Sequence, residues 1–269
     1  MMRSLWTAAS GMRAQQVNVD TIANNVANIN TIGYKSQQAS FKSLLYQNLQ
    51  STSTNNAGEN KPVAAEVGLG SRVAAITSTF TQGNLTHVEN PFSVALEGDG
   101  FFQIRTESGE LQYTRDGSFE ISPVANGNML CTSDGNPVLD AYGNQIILPS
   151  NRVATDLVVN PDGTGNPAVI TDANGRPVKF GIYQFNNPAG LSKEGSNNYS
   201  VTVASGAAVA ENGNAAVKQT KTHQYYTEAS NVDVANEMVN LIVAQRAYEM
   251  NSKAIQASDE MMQQANALR

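Results

Sequence analysis

Five carboxylates lie close together in the middle of the chain: Glu97, Asp99, Glu107, Asp116 and Glu120. Two carboxylates facing each other across a cleft can cleave a glycosidic bond, one as acid and the other as base or nucleophile. Asp99 and Asp116, however, each precede a glycine, and an Asp-Gly pair is first of all a tight turn. The two histidines, His87 and His223, stand apart from each other and from Cys131, the single cysteine. That spacing supports neither an internal disulfide nor a zinc site, and Cys131 reads as a small buried apolar residue. Asp172-Ala173-Asn174-Gly175 resembles the start of a calcium loop but lacks the downstream ligands. There is no Gly-x-Ser-x-Gly elbow and no phosphate-binding loop. No catalytic residue, metal ligand or cofactor is therefore expected. A β-rich carbohydrate-active enzyme or binding domain stands as the lesser alternative.

The composition points the same way. The chain has 269 residues, 41% apolar and 15% charged, enough for one large domain or two modest ones with a real core. Its net charge is −6 and no cluster of Lys or Arg stands out, which argues against a nucleic-acid partner. No apolar run approaches the roughly 18 residues that span a bilayer. Met1 to Ser10 has a basic start without a sustained apolar core and does not read as a signal peptide.

Two long helices frame the chain. Over about 4–30, Leu5, Met12, Val19 and Val26 recur every seventh residue, and Ala8, Ile22 and Ile29 fill the position three later. Gly33 is a plausible stop. Over about 231–267, Val234, Leu241, Tyr248, Ile255 and Met262 repeat the spacing, widened by Met238, Ala244 and Ala265. Ser230 with Asp233 suggests a capping box at its start, and Glu249 with Lys253 an i,i+4 ion pair. Residues 1–36 carry Arg3, Arg13 and Lys35 against Asp20, a net +2. Residues 230–269 carry Arg246, Lys253 and Arg269 against Asp233, Glu237, Glu249, Asp259 and Glu260, a net −2. Exposed charges of this size bias orientation without holding a pair together.

From about 75 to 210 the pattern changes to short strands. Residues 92–96, 101–104, 145–148 and 178–183 read as strands, separated by Asp-Gly and Asn-Gly turns at Asp99, Asp116, Asn126, Asp134, Asp162 and Asn174. The glycines of these pairs are expected to supply positive φ. The fold class is therefore α+β: N- and C-terminal helices paired as a coiled coil, with an inserted, mainly antiparallel β domain. The helical domain takes 1–36 and 225–269 and the β-rich domain 75–205. Connectors cover 37–74 and 206–224 and include a polar arm over 47–66.

One heptad stripe cannot bury itself, and two helices still leave outer faces wet. Those faces carry Asn18, Asn24, Asn25, Asn28, Asn240 and Asn251. These amides are either solvated or bonded to helices of neighbouring copies. On the second reading the polymerisation interface is the two stripes: Leu5, Met12, Val19, Ile22, Val26 and Ile29, with Val234, Met238, Leu241, Tyr248, Ile255 and Met262.

The motifs then fall into a recognisable order. Ala23-Asn24-Asn25-Val26-Ala27-Asn28 is followed by Gly33-Tyr34-Lys35, then Gly98-Asp99-Gly100-Phe101-Phe102. Tyr113-Thr114-Arg115-Asp116-Gly117-Ser118-Phe119 comes next, then Ser230-Asn231-Val232-Asp233, and last Gln245-Arg246-Ala247-Tyr248-Glu249-Met250-Asn251. Together they span nearly the whole chain and resemble the bacterial flagellar rod and hook protein family, with Tyr34 where Phe is common. In length, and in Leu44-Leu45-Tyr46-Gln47 with the polar arm, the chain is more similar to distal rod subunits than to hook subunits; a proximal rod subunit is the competing reading. The resemblance implies a helical tube of identical copies, with the end helices lining a central export channel, that acts as a drive shaft. It implies a basal-body location in the periplasm or cell envelope, reached through the flagellar type III export apparatus without signal cleavage. It implies as partners the proximal rod subunits, the hook or hook-junction subunits, and periplasmic and outer-membrane ring proteins.

Overall fold

The computed structural model describes residues 2–50, 65–124, 127–148, 159–162, 178–212 and 217–267. The chain divides into two units. The helical unit comprises residues 1–27, 37–78 and 233–269, and the β unit residues 28–36 and 79–232. Residues 28–36 and 225–232, expected with the helices, thus belong to the β unit, as do the 206–224 connector residues.

In the helical unit, α1 spans Met2–Ala27 and α2 Val234–Ala267. Four strands lie between them in sequence: β1 (Gln37–Ser43), β2 (Tyr46–Gln50), β3 (Ala65–Gly68) and β4 (Ser71–Ser78). α2 starts on Asp233, whose Oδ1 accepts from the backbone N–H groups of Ala235 at 2.9 Å and Asn236 at 3.4 Å. Asp233 is therefore the cap itself. Ser230 instead closes the turn before it, accepting from Val232 N–H at 3.3 Å, so the capping box does not form.

The two helices run antiparallel in one register. Ser4 bonds Ser258 at 3.3 Å, a Cβ on Gly11 would come within 2.9 Å of Asn251, and Asn25 Nδ2 donates to Glu237 Oε1 at 3.3 Å. The register explains the burial of α2. Leu241, Ala244, Asn251, Ile255, Ser258 and Met262 turn inward, whereas Met238 stays half exposed, as does Val234, which lies past the end of α1 at Ala27. The opposite face of α1 carries a β ribbon: β1 pairs antiparallel with β4 from Gln37↔Ser78 to Ser43↔Ser71. Ser71 N–H donates to Ser10 Oγ at 3.3 Å. The polar arm begins and ends in a second ribbon, β2 with β3, while its residues 51–64 lie outside the described residues.

The β unit holds β5 (Leu85–His87), β6 (Val94–Glu97), β7 (Phe101–Arg105), β8 (Leu111–Thr114), β9 (Glu120–Val124), β10 (Gly127–Cys131) and β11 (Ile147–Leu148). It continues with β12 (Ile182–Gln184), β13 (Ser192–Gly195), β14 (Asn198–Ser200), β15 (Val209–Ala210), β16 (Lys221–Gln224) and β17 (Tyr226–Glu228). All described pairings are antiparallel: a six-stranded sheet in the order β13-β14-β8-β7-β12-β15, a three-stranded sheet β11-β10-β9, and the pairs β16-β6 and β17-β5. The strand expected over 178–183 shortens to Ile182–Gln184, preceded by a bridge from Phe180 to Asp140.

Consecutive strand residues point to opposite faces, and Phe101-Phe102 uses this fully. Phe102 enters one core with Val94, Leu96, Ile104, Phe119 and Phe180. Phe101 enters the other with Tyr113, Phe185, Leu191 and Tyr199. Both rings are wholly buried, so two adjacent residues seed the cores on the two sides of one sheet. Cys131 is buried and unpaired, as its surroundings in sequence suggested.

Candidate assembly site

Most of the sequence motifs meet in one place in the β unit, around a residue that none of them contains. Glu228, at the end of β17, is 1% exposed. Lys35 Nζ donates to its Oε1 at 2.6 Å and to the Thr81 carbonyl at 2.8 Å. Arg115 donates from one terminal nitrogen to Glu228 Oε2 at 3.4 Å and from the other to the Gly98 carbonyl at 2.7 Å. Its guanidinium also lies 5.0 Å from the centre of the Phe101 ring, a cation–π contact. Gly83 N–H donates to Glu228 Oε1 at 2.9 Å, and Gly33 N–H to the Glu228 carbonyl at 2.8 Å. Lys35 and Arg115 are as deeply buried as their partner. Burial pushes the ionisation of both cations below the usual values, and the Glu228 carboxylate pulls both back toward the charged form.

Asn231 ties together three of the four stretches by which the chain enters or leaves the β unit. Its Oδ1 accepts from Ser36 N–H at 2.7 Å, and its Nδ2 donates to the Thr79 carbonyl at 2.8 Å. Thr79 N–H donates in turn to the Ser36 carbonyl at 2.8 Å. Gly33 has φ +69°, and a Cβ there would lie 2.9 Å from the backbone of Arg115 and Asp116. Gly100 and Gly117 are not in that region. A side chain on Gly100 would strike Ile182 and Thr220, and one on Gly117 would strike the Val94 carbonyl. The positive φ beside Asp99 falls on Gly98, at +139°. Close approach, not turn conformation, therefore demands glycine at 100 and 117.

Two of the carboxylates that suggested chemistry, Asp116 and Glu97, have other occupations. Asp116 Oδ1 accepts from Ser118 N–H at 2.9 Å and Ser118 Oγ at 2.6 Å, and burial pushes its carboxyl up. Glu97 Oε2 accepts from His223 Nε2–H at 2.7 Å on the surface. Among the described residues no three His, Cys, Asp or Glu cluster as a metal site.

In the helical unit the family-motif amide Asn25 is internal, whereas its neighbour Asn24 is exposed. Asn25, 1% exposed, brackets Gln37, donating to its carbonyl and accepting from its N–H, both at 2.8 Å. It is thus neither solvated nor reaching for another molecule. Asn28 is not on a helix face at all. It turns the chain through Thr31, whose N–H and Oγ1 donate to its carbonyl and Oδ1 at 3.3 and 3.0 Å. Ile29, expected in the α1 stripe, therefore lies beyond the helix. Glu249 pairs with Arg246 at 3.1 Å rather than with Lys253.

Three family models match the chain: "Flagella basal body rod protein" over residues 5–35, "Flagellar hook protein FlgE/F/G D1 domain" over 95–165, and "Flagellar basal body rod FlgEFG protein C-terminal" over 223–268. The flagellar basal-body rod protein FlgG of Borreliella burgdorferi is 44% identical over 275 residues, covering 100% of this chain and 99% of its own. That of Caulobacter vibrioides is 39% identical with full coverage of both chains, and that of Bacillus subtilis 35% identical over 98% of each. The chain belongs to the flagellar basal-body rod protein family. It is a structural rod subunit and not an enzyme.

The rod-family motifs can now be read as mechanics of the fold. Lys35 and Arg115 assemble on Glu228, Gly98 and Phe101 hold Arg115, Asn231 gathers the exits, and Asn25 brackets Gln37 at the start of β1. Sequence reasoning missed Glu228, which has no motif of its own. It also missed a second stripe on α2, opposite the seam, where Val239, Ile242, Val243, Met250 and Met261 are exposed; their spacing of three, four, eleven and twenty-two from Val239 was the available signal. Because Asn can offer the same acceptor as Asp116, Asp116→Asn is expected to change stability by no more than about 1 kcal/mol and to leave swimming intact. Thermal unfolding and a motility plate check this. A non-motile strain with normal rods would reopen a chemical role.

Proposed function

We propose that this rod subunit belongs to the distal rod, where copies form a helical tube that turns as a drive shaft and conducts exported protein. The reading rests on full-length likeness to rod proteins named FlgG, together with two end helices whose apolar residues exceed what one antiparallel pair can cover. In this reading the pair is a coiled coil facing the channel. Leu5, Met12, Ile22, Val26, Leu241, Ile255 and Met262 form its inside, Val19 and the exposed Tyr248 flank an open groove at its edge, and the second α2 stripe meets neighbouring copies. Val234 and Met238 belong to that intermolecular surface. The polar arm of residues 47–66 bridges copies along the axis and stiffens the tube. The subunit reaches the envelope through the type III export apparatus without a cleaved signal. It adjoins proximal rod subunits below, hook or hook-junction subunits above, and ring proteins around it.

Electron microscopy of basal bodies from a strain lacking this chain tests the reading. Rods are expected to stop short of full length and to carry no hook. A complete rod and hook in the deletion strain would refute a rod position, and arrest at the innermost segment would assign the chain to the proximal rod.

A further inference from the structure

Trp6 is the single tryptophan of the chain and is 75% exposed on α1. Arg13 follows two turns later on the same strip of the helix, since residues i and i+7 share a face. Arg13 has no ion-pair partner among the described residues. Elsewhere on the helical unit, α1 and α2 leave a groove of about 390 Å³ lined by Val19 and Tyr248, with Gln16, Gln245 and Glu249. Val19 and Tyr248 offer apolar surface for an aromatic ring, and the amide and carboxylate oxygens offer acceptors for an indole N–H. Trp6 cannot fill its own groove, because Gln16 and Val19 lie roughly 15–20 Å further along the same helix.

We infer that Trp6 of one copy seats in the α1–α2 groove of the next, with the two copies parallel and staggered along the helix axis. This rests on the rod reading above and names the contact that sets the axial step. Charge decides the direction. With Trp6 in the groove, a parallel neighbour carries Arg13 about 10 Å onward, to the level where Asn25 meets Glu237. An antiparallel neighbour carries it the other way, past the level of Gly11 and Asn251 and toward Lys253. The first places opposite charges together and the second like charges. Glu237 has no ion-pair partner among the described residues, so an arriving guanidinium finds an acid free to pair. A parallel contact joins two different surfaces head to tail, and such contacts repeat without closing.

The lone indole reports the test directly. In dilute full-length chain Trp6 is expected to fluoresce at long wavelength and be quenched by iodide. In polymer formed at high concentration it is expected to shift to shorter wavelength and become shielded. Trp6→Ala, and Gln245→Phe, which fills the groove from an exposed position, are each expected to raise the concentration needed for assembly about tenfold or more, the scale of a buried aromatic anchor. Both are expected to leave the unfolding transition of the free chain unchanged. Polymer in which Trp6 stays quenchable, or shielding that needs a different protein, would overturn the contact while leaving the rod reading intact. Failure of the unmodified chain to polymerise in solution and to enter rods in cells would remove both.

Discussion

Glu228→Ala is expected to be the most damaging single change in the β unit, costing about 3–5 kcal/mol, the range for a buried ion pair stripped of one partner. The carboxylate is the only acid hydrogen-bonded to either Lys35 or Arg115 among the described residues. Its loss leaves two buried cations with carbonyl acceptors alone, at Thr81 and Gly98. The backbone N–H of Gly83 loses its acceptor as well. Glu228→Gln keeps an acceptor for Gly83 and is expected to recover only part of the loss. Urea unfolding of the purified chain measures both variants. Glu194→Ala, at an exposed residue bonded to Ser200, provides a control expected to stay within about 0.5 kcal/mol. A Glu228→Ala loss below that of the control would mean that the clamp contributes nothing net.

The second large effect is Ile255→Asp. Ile255 faces α1 between two fixed points of the register, Ser258 against Ser4 and Asn251 against Gly11. A carboxylate there has no cation to meet among its inward neighbours, and the expected cost is several kcal/mol. The cost falls on the helix pair. The β unit has its own two cores and clamp and is expected to keep its thermal transition. Reduced helical circular dichroism, an unchanged β-unit transition and no rods in cells are the expected results. Normal rods from this variant would show that the pairing of α1 with α2 is dispensable to assembly.

The readable parts of the molecule were those with a local period or a local turn. The heptads of α1 and α2 announced two helices, and Phe101-Phe102 announced a strand. The buried clamp was unreadable because its partners are far apart in sequence and no spacing rule links a lone glutamate to a lysine and an arginine elsewhere. Asn25 misled for a related reason. An amide on a helix looks solvent-directed until the ribbon that it brackets is in place. The end of α1 at Ala27 and the cap at Asp233 moved by a few residues, since side-chain bonds of Asn28 and Asp233 settled between near-equal local choices. The α2 outer stripe was in plain view, yet a helix apolar on two sides dilutes the signal of either.

The clamp also dictates an order of events. Lys35 and Glu228 are 193 positions apart, and Arg115 and Glu228 are 113 apart. Contacts so distant in sequence are slow to form, since chain entropy is lost long before they return anything. A chain emerging with its N-terminus first presents Lys35 early and Arg115 midway, and both must stay hydrated until β17 arrives. The β unit can reach its final state only when more than four fifths of the chain is available, so an incomplete molecule remains pliable and a complete one sets.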